Sequence, residues 1–309
     1  MHKYILKRLM MMVPVIIGIT FIIFFILKLT PGDPAMIILG PEATAETIAQ
    51  LHEEMGFNDP LIVQYGRYMA NLLRGDFGRS YLTDMDIFSL IIERFPITFN
   101  LAIFSLLLAG LVAIPFGVIS ATKQYSFTDS FSMLLCLIGV SIPHFWLGLM
   151  LILAFSIHIP ILPSGGIAAG YLSFILPSIT LAAGAAGTIA RQTRSSMLEV
   201  VRQDYIRTAM AKGARQNRVI IGHALQNAIM PVITVMGIAF GRNIGGAVVI
   251  EAVFSLPGTG SLLLQGIRSM DTPLVMGCVV FLAIMISLAN LVVDIIYGFI
   301  DPRLKAMYK

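Results

Sequence analysis

The chain has 309 residues, of which 57% are hydrophobic and 12% are charged, and its mean hydropathy is +0.86. Soluble domains carry about 25% charged residues, so this composition excludes an ordinary soluble protein and indicates an integral membrane protein. The net charge of +4 does not by itself indicate nucleic-acid binding, because the positions of the charges are more informative than their sum. The two cysteines, Cys136 and Cys278, lie in apolar runs and predict small packed side chains rather than a disulfide framework.

Six apolar stretches are long enough to cross a bilayer, which requires about 20 residues. They cover residues 9–29, 98–121, 131–157, 172–190, 229–253 and 274–300. The first stretch follows Lys3, Lys7 and Arg8, as a secretory signal does, but it is too long and "TPGDP" follows it without a small-residue cleavage site. We therefore expect residues 1–30 to form an uncleaved anchor helix.

Residues 31–97 form a polar segment with two helical patterns. "ATAETIAQLHEEMGF" predicts a helix that begins at a Thr44 cap and ends at Gly56. "PLIVQYGRYMANLLRGDFGRSY" predicts a second helix, whose apolar face contains Val63, Tyr65, Tyr68, Met69 and Leu72. We interpret the segment as a small helical cap, which either docks a partner or packs over the bundle.

The distribution of charge predicts the orientation of the spans. Residues 31–97 contain ten acidic residues and four arginines, which places this segment outside the cytoplasm. The segment between the fourth and fifth spans is basic, as are the N-terminus and residues 301–309, so both termini are expected in the cytoplasm. The basic residues of that segment are Arg191, Arg194, Arg202, Arg207, Lys212, Arg215 and Arg218.

Motifs for catalysis, for nucleotide binding and for metal binding are not found in the sequence. "HEEM" at residues 52–55 begins like a zinc-protease helix, but Gly56 stands where the second histidine is needed. There is no Gly-rich phosphate loop and no nucleophile elbow. His144 and His158 are interpreted as packed or interfacial histidines rather than ligands.

Polar residues inside the spans are candidates for a translocation pathway. Arg242 and Asn243 lie in the fifth span, where a mid-membrane arginine normally faces a bundle interior or an aqueous path, and Glu251 lies near its outer mouth. Arg242 could alternatively form a structural ion pair with Asp294 or with a partner subunit. The small residues Gly241, Gly245 and Gly246 favour close helix packing.

The basic segment contains a short helix of its own. "DYIRTAMAKG" has an Asp204 cap and a Gly213 stop, and a second helical stretch, "RVIIGHALQNAIMP", leads into the fifth span. We expect Tyr205, Ile206 and Ala209 to be buried against another protein, because the chain has no cytoplasmic domain to receive them. The alternative is a charge cluster that only sets topology.

The sequence resembles the permease subunits of binding-protein-dependent ABC importers, specifically the dipeptide, oligopeptide and nickel branch. The similarity covers nearly the whole chain. It includes "YILKRLMMMVPVI", "LTPGDPA", "GDFGRSY", "VSIPHFWLG", "ILPS", "SSMLEVVRQDYIRTAMAKGARQNRVIIGHALQNAIMPVIT", "EAVFSLPGTG" and "NLVVDIIYGFIDPRL", in this order.

The resemblance implies an all-α fold with six transmembrane helices, in which residues 98–300 form a five-helix core and residues 191–228 a cytoplasmic coupling loop. In that family a coupling helix of this loop docks into a groove of a cytoplasmic ATPase. Arg207, Thr208, Ala209 and Gly213 occupy the E-A-A-x-x-x-G positions, with Arg207 in place of the glutamate. The implied coupling helix comprises Asp204, Tyr205, Ile206, Arg207, Thr208, Ala209, Lys212 and Gly213.

The resemblance also implies the partners: a homologous second permease, two ATPases that bind ATP and Mg²⁺, an extracytoplasmic binding protein and the bilayer, but no nucleic acid. This chain is expected to carry no cofactor and to catalyse no reaction, in a bacterial or archaeal inner membrane. Peptides are the expected cargo, and nickel or a metal chelate is the alternative. The alternatives from other functional classes are a secondary transporter, a channel and an intramembrane enzyme.

Overall fold

The computed structural model describes residues 2–29 and 32–300 and builds them mainly from helices. The described part contains one isolated bridge, Arg79 to Asp86, but no β-strand. The α-helices are α1 (His2–Leu29), α2 (Pro34–Leu39), α3 (Ala45–Met55), α4 (Leu61–Leu73), α5 (Ile87–Thr122), α6 (Phe127–Ser141), α7 (His144–Ile152), α8 (Ile175–Val201), α9 (Asp204–Ala211), α10 (Gln226–Val253), α11 (Thr259–Arg268) and α12 (Thr272–Ile300).

Three further helical segments adjoin the α-helices. A 3₁₀-helix, Gly170–Phe174, precedes α8, and a π-helix, Leu153–His158, follows α7. A second π-helix, Arg218–Leu225, precedes α10. The helical stretch expected from residue 218 onward is therefore present, but its first two turns are wider than an α-helix.

Five helical segments are long and apolar enough to cross a membrane, and they contain four of the six predicted spans and residues 274–293 of a fifth. They are Leu6–Leu29, Ile87–Thr122, Gly170–Val201, Arg218–Val253 and Thr272–Val293. The all-α, multi-span architecture expected from the sequence is thereby confirmed.

The third predicted span, residues 131–157, is not one straight helix. Phe127–Ser141 and His144–His158 meet at an angle of 98°. Between them Ile142 is extended, with φ −80° and ψ 129°, because the ring of Pro143 disfavours helical backbone in the residue before it. The apolar run predicted the length of this segment correctly, but the proline converts it into a bent pair.

The core lies where α8 packs along α5, α6 and α10 through small side chains. Ala109 and Ala113 of α5 are buried with Ala185 and Ala190 of α8. At Gly117 the two helices approach so closely that a Cβ atom would lie 2.7 Å from the carbonyl oxygen of Ala190. Such small-residue contacts allow close packing between membrane helices.

The polar segment after α1 folds onto α1 and onto the start of α12. As predicted, α3 begins at Thr44, whose side chain accepts from the Thr47 amide, and it ends at Gly56 with φ +66°. The hydroxyls of Thr20 in α1 and Tyr65 in α4 lie 3.0 Å apart. The Ser80 hydroxyl donates to the Asp271 carboxylate at 2.5 Å. These contacts favour the expectation that the segment packs over the bundle.

The helix directions define two ends of the bundle. At one end α5 and α8 finish and α6 and α10 begin, and we call this the loop end because α9 lies there. At the other end α1 and α10 finish and α12 begins, next to α2, α3 and α4, and we call this the cap end. The candidate functional residues fall at both ends and on α10 between them.

Candidate coupling and translocation surfaces

The short helix α9 is present at the loop end and covers Asp204–Ala211 of the predicted stretch. Gln203 is its N-cap residue and has no side-chain cap bond, so Asp204 is the first helical residue rather than the cap that we expected. A carboxylate in the first turn still interacts favourably with the helix dipole. The chain leaves α9 through Gly213, whose φ of +76° is accessible mainly to glycine, as the predicted stop requires.

Ile206 anchors α9 to the bundle. Its side chain is fully buried, at 0% exposure, in an apolar cluster with Ala121 of α5, Met197 of α8 and Val219 of the following π-helix. Ala209, which is partly buried, packs against the same cluster. The expectation that a partner protein buries these two side chains is therefore wrong, because α8 and the π-helix together provide an apolar surface that the sequence pattern does not reveal.

The opposite face of α9 is exposed and polar. Asp204, Thr208 and Lys212 are exposed and lie on the side away from Ile206, since residues four apart share a helix face. Tyr205, with 46% of its surface accessible, and Arg207 flank this face. The residues predicted for the coupling helix thus divide into an inward anchor and an outward polar surface.

A carboxylate at the loop end joins three helices next to α9. Asp129 of α6 accepts two bonds from the Arg194 guanidinium of α8, at 3.0 Å from Nε and 2.9 Å from Nη2. The Ser120 hydroxyl of α5 and the Tyr125 amide also donate to it. We did not predict this pair from the sequence. A signal was nevertheless present, because Asp129 is an isolated acid beside an apolar run and such an acid needs a partner.

Arg242 lies on an exposed face of α10. Ile238 and Val249, one turn before and two turns after it, are 58% and 52% exposed, and a Cβ atom on Gly246 would meet nothing within 4 Å. Arg242 itself is exposed and has no ion pair with any described residue. The side chain of Asp294, its alternative partner, lies outside the described residues.

The predicted close packing of α10 is confirmed at Gly241, and it extends to Gly237, for which no packing was predicted. Gly241 lies against α12, where a Cβ atom would be 3.3 Å from Asn290 Oδ1. At Gly237 a Cβ atom would be only 2.1 Å from Val293. Gly245 and Gly246 are exposed on the side of α10 that carries Arg242, although a Cβ atom on Gly245 would still lie 3.4 Å from Ile286 of α12. The glycines of α10 therefore serve both a helix contact and an open surface.

The other two candidate pathway residues are buried inside the chain. Asn243, at 5% exposure, donates from Nδ2 to the Ser105 hydroxyl at 3.0 Å. Glu251, at 0% exposure, accepts from the Thr98 hydroxyl at 2.6 Å and from the Ser261 amide at 2.8 Å. In this structure neither side chain faces the surface that carries Arg242.

Glu251 joins α10 to α5 and to the N-terminus of α11. A carboxylate at a helix N-terminus satisfies free amides and interacts favourably with the helix dipole. Gly258 and Gly260 close over it so tightly that Cβ atoms would lie 2.4 and 2.9 Å from its carboxyl group. This contact explains why "EAVFSLPGTG" contains both glycines, and the sequence could have revealed it as a compact acid-and-glycine motif.

The predicted histidines have ordinary packing roles. His144 Nδ1 lies 3.2 Å from the Thr180 carbonyl oxygen, and the ring fills the space above Gly184. His158 Nδ1 lies 2.7 Å from the Leu153 carbonyl oxygen. Neither belongs to a group of metal-ligating side chains among the described residues.

Residues 113–306 match the family described as "Binding-protein-dependent transport system inner membrane component", and residues 1–102 match the N-terminal region of such components. The chain is 39% identical to the oligopeptide transport system permease protein AppB of Bacillus subtilis over 99% of this chain and 100% of that protein. It is 40% identical to the dipeptide transport system permease protein DppB of Alkalihalophilus pseudofirmus, over 99% and 100%. It is 39% identical to the glutathione transport system permease protein GsiC of Salmonella paratyphi A, over 99% of each chain.

A solved structure shares the fold. A chain of the MetNI methionine ABC transporter in an inward-facing conformation has a TM-score of 0.56 and 21% identity, covering 69% of this chain and 97% of that one. The likeness confirms the predicted importer permease fold. Together with the sequence matches, it shows that this multi-pass membrane chain, which is not itself an enzyme, belongs to the family of permease components of binding-protein-dependent ABC transport systems.

Proposed function

We propose that this chain forms half of a peptide pathway and is driven by separate ATPases that dock on α9. The observation that carries the proposal is the division of α9 into a buried anchor, Ile206, and an exposed polar face containing Thr208 and Lys212. A helix anchored on one face and exposed on the other can transmit a displacement from a docked protein to the bundle. Neither an ion-coupled transporter nor a channel needs such a helix.

The charge distribution supports the orientation. The loop end carries the basic segment 191–228, and the cap end carries the acidic segment 31–97, so the loop end is cytoplasmic by the positive-inside rule. The cap end then faces the binding protein. Residues 301–309, which add three basic residues, lie outside the described part of the chain and belong on the cytoplasmic side in this arrangement.

The coupling acts through α8 and the second π-helix. ATP binding moves the ATPase groove, which displaces α9, and the Ile206 contacts transfer the motion to Met197 of α8 and Val219 before α10. The ATPases can shift the equilibrium between inward and outward states only if their contacts with α9 differ between the two. ATP and Mg²⁺ are bound by the ATPases in this proposal.

The exposed face of α10 is the proposed pathway lining. Arg242 offers a permanent positive charge to a peptide carboxylate, and Gly246 leaves space beside it. A homologous second permease would complete the pathway, giving a heterodimer with two ATPases. We place Asn243 and Glu251 behind this lining as supports, because both side chains are buried.

Peptides are the proposed cargo class because relatives with nearly full coverage are named as oligopeptide, dipeptide and glutathione permeases. Since an external binding protein delivers the cargo, the length of the preferred peptide is a property of that protein as much as of this chain. Nickel or a metal chelate remains the alternative within the family.

The test is a bulky substitution on the exposed face of α9. The complex of this permease, its partner permease, the ATPases and the binding protein is reconstituted in liposomes, and ATP-driven uptake of labelled di- and oligopeptides is measured. Thr208→Trp should abolish uptake and the retention of the ATPases on purification. Thr128→Trp is the matched control, because Thr128 is also an exposed threonine at the loop end but lies on α6.

Two results would refute the proposal. Normal uptake by Thr208→Trp would show that α9 is not the docking surface. Uptake by this chain alone, without ATPases, would instead assign it to the secondary transporters or channels.

A further inference from the structure

A cavity of about 660 Å³ lies at the cap end, between the end of α1, the cap helices and the helices α11 and α12. Its position separates it from the exposed face of α10, and neither α9 nor Arg242 contributes to it. Much of its wall is apolar. Its apolar lining includes Phe24, Leu27, Ile37, Ile38, Val275 and Met276.

Lys28 brings a positive charge to this cavity and forms no ion pair with a described acidic residue. Of the two acids that line the cavity, Asp84 is paired with Arg79 and Asp76 accepts from the Gly78 amide at 2.8 Å. Its Nζ lies 5.2 Å from the ring centroid of Phe57 and 5.9 Å from that of Phe24. The other cations of the cavity are paired, Arg67 with Asp59 at 2.6 Å and Arg79 with Asp84 at 2.7 Å. The aromatic faces attract the ammonium, but they do not neutralise it as an anion would.

Tyr68 supplies a second donor without a partner. Its hydroxyl is buried and makes no hydrogen bond to any described residue. Its ring centroid lies 6.4 Å from that of Phe24, the same ring beside which Lys28 lies. A buried hydroxyl without a hydrogen bond is unfavourable, so the pair of free donors indicates an acceptor that enters the cavity from outside the chain.

The depth of the cavity favours a lipid. Phe24 precedes the end of α1 at Leu29 by five residues, or about 7 Å along the helix axis, and Lys28 lies next to that end. The cavity therefore extends from the level of the lipid headgroups into the hydrocarbon region. A lysine near the end of a span reaches towards the headgroups in this way.

We propose that this cavity binds one anionic phospholipid of the leaflet at the cap end. The phosphate accepts from the Lys28 ammonium and the Tyr68 hydroxyl, and an acyl chain lies along Phe24, Ile37 and Met276. The bound lipid fills the space between α1 with its cap and the core helices α11 and α12. This site does not depend on the proposed docking of α9 or on the identity of the cargo.

The test uses the purified membrane complex, exchanged into nanodiscs that contain equal amounts of phosphatidylglycerol and phosphatidylcholine. Lipid retained per permease after detergent extraction is counted by native mass spectrometry. We expect the wild type to retain one phosphatidylglycerol. Lys28→Gln should lower its retention about tenfold and Tyr68→Phe about threefold, because a charge-assisted bond contributes more than a neutral one.

Three controls check that the retained lipid occupies this cavity. Arg74→Gln removes an exposed charge at the same end but outside the cavity and should leave retention unchanged, and Lys28→Arg should largely preserve it. An excess of inorganic phosphate should not displace the lipid. Co-purification of the partner subunits with each variant verifies that it is folded.

Several outcomes would overturn the proposal. Equal retention of phosphatidylcholine would exclude selection of an anionic lipid. Unchanged retention in Lys28→Gln would place the bound lipid elsewhere on the complex. Displacement by inorganic phosphate would identify a free-anion site, and a bound mass that matches a peptide would assign the cavity to cargo.

Discussion

Two buried carboxylates join helices at opposite ends of the bundle, and they are satisfied in different ways. At the cap end Glu251 accepts from neutral groups, the Thr98 hydroxyl and the Ser261 amide, while two glycines close over it. At the loop end Asp129 is paired with the Arg194 guanidinium, and their side chains are 8% and 28% exposed. We call the contacts of Glu251 the cap-end joint and the Asp129–Arg194 pair the loop-end joint. The cap-end joint depends mainly on close packing, and the loop-end joint depends mainly on charge.

This difference suits the tasks of the two ends. At the cap end the backbone packs closely over a fully buried, hydrogen-bonded carboxyl group, which favours a fixed relation between α10, α11 and α5. An ion pair near the solvent can exchange protein contacts for water at a small cost, because part of its charge is already hydrated. We infer that the cap end serves as the fixed end and the loop end, which carries α9, as the end that moves.

The largest expected effect comes from filling the cap-end joint. In Gly260→Val the added Cβ atom would lie 2.6 Å from Val248 Cα and 2.9 Å from Glu251 Oε2. Backbone and a buried carboxyl group cannot both retreat, so the free energy of unfolding should fall by about 3 kcal/mol or more. The measurement is the yield of assembled complex by size-exclusion chromatography, together with its thermal midpoint.

Gly66→Val is the control for this substitution. Gly66 also lies in a helix at the cap end, but a Cβ atom there meets nothing within 4 Å. It should give normal yield and a normal midpoint. If Gly260→Val assembled equally well, the cap-end joint would be looser than the structure indicates and the contrast between the ends would disappear.

An intermediate effect is expected from neutralising the loop-end joint. Arg194→Gln leaves the Asp129 carboxylate with the Ser120 hydroxyl and the Tyr125 amide but no positive charge. The loss should be about 2 kcal/mol, below the 3 to 5 kcal/mol of a fully buried pair, because Arg194 is partly hydrated. The thermal midpoint of the complex, measured over a range of salt concentrations, checks this prediction.

The matched control is Arg191→Gln, because Arg191 lies on the same helix but is exposed and unpaired among the described side chains. The double substitution Asp129→Asn with Arg194→Gln should recover part of the loss, since no uncompensated charge remains. If Arg191→Gln and Arg194→Gln were equally mild, the bidentate contact would contribute nothing to the joint.

The sequence predicted features that depend on local chemistry and missed those that depend on distant contacts. The positions of five spans, the Thr44 cap, and the ends at Gly56 and Gly213 follow from hydrophobicity and backbone preference, and the structure contains them. Family membership followed from ordered motifs. By contrast, Asp129 and Arg194 are 65 residues apart, and nothing local indicates that they meet.

Ile206 shows the same limit. Its helical pattern predicted correctly that one face of α9 is buried, but which surface buries it depends on how α8 and the second π-helix pack. The bend at Pro143 is a different case, since a proline within a long apolar run is visible in the sequence and could have been used to divide the third span. The roles of Arg242 and of the outward face of α9 stay predictions.

A smaller effect on stability is expected at the glycine that ends α9. Gly213 has φ +76°, which costs about 1 kcal/mol for most residues but less for asparagine. Gly213→Val should therefore distort the exit from α9 and uncouple ATP hydrolysis from peptide uptake, whereas Gly213→Asn should behave nearly as the wild type. The thermal midpoint of the complex should change little in either, because the position is exposed. Equal uptake by both variants would show that the geometry of this exit does not matter for coupling.

Arg242→Gln, on the exposed face of α10, should have the smallest effect on stability of these substitutions. It should nevertheless have a clear effect on transport. If Arg242 lines the pathway, the substitution removes a charge-assisted bond to the peptide carboxylate. Uptake of free peptides should then fall about tenfold, while uptake of C-terminally amidated peptides and the thermal midpoint stay unchanged. Arg242→Lys should restore most of the uptake, because it keeps the positive charge.

The alternative is that Arg242 forms an ion pair inside the assembled complex, with Asp294 or with the second permease. Breaking such a pair would leave a carboxylate without its partner in a low-dielectric environment, so Arg242→Gln would lower the thermal midpoint and affect free and amidated peptides alike. The two roles therefore differ in both measurements. A pathway role requires selective loss of free-peptide uptake at constant stability, because only a group that contacts the cargo can distinguish a carboxylate from an amide.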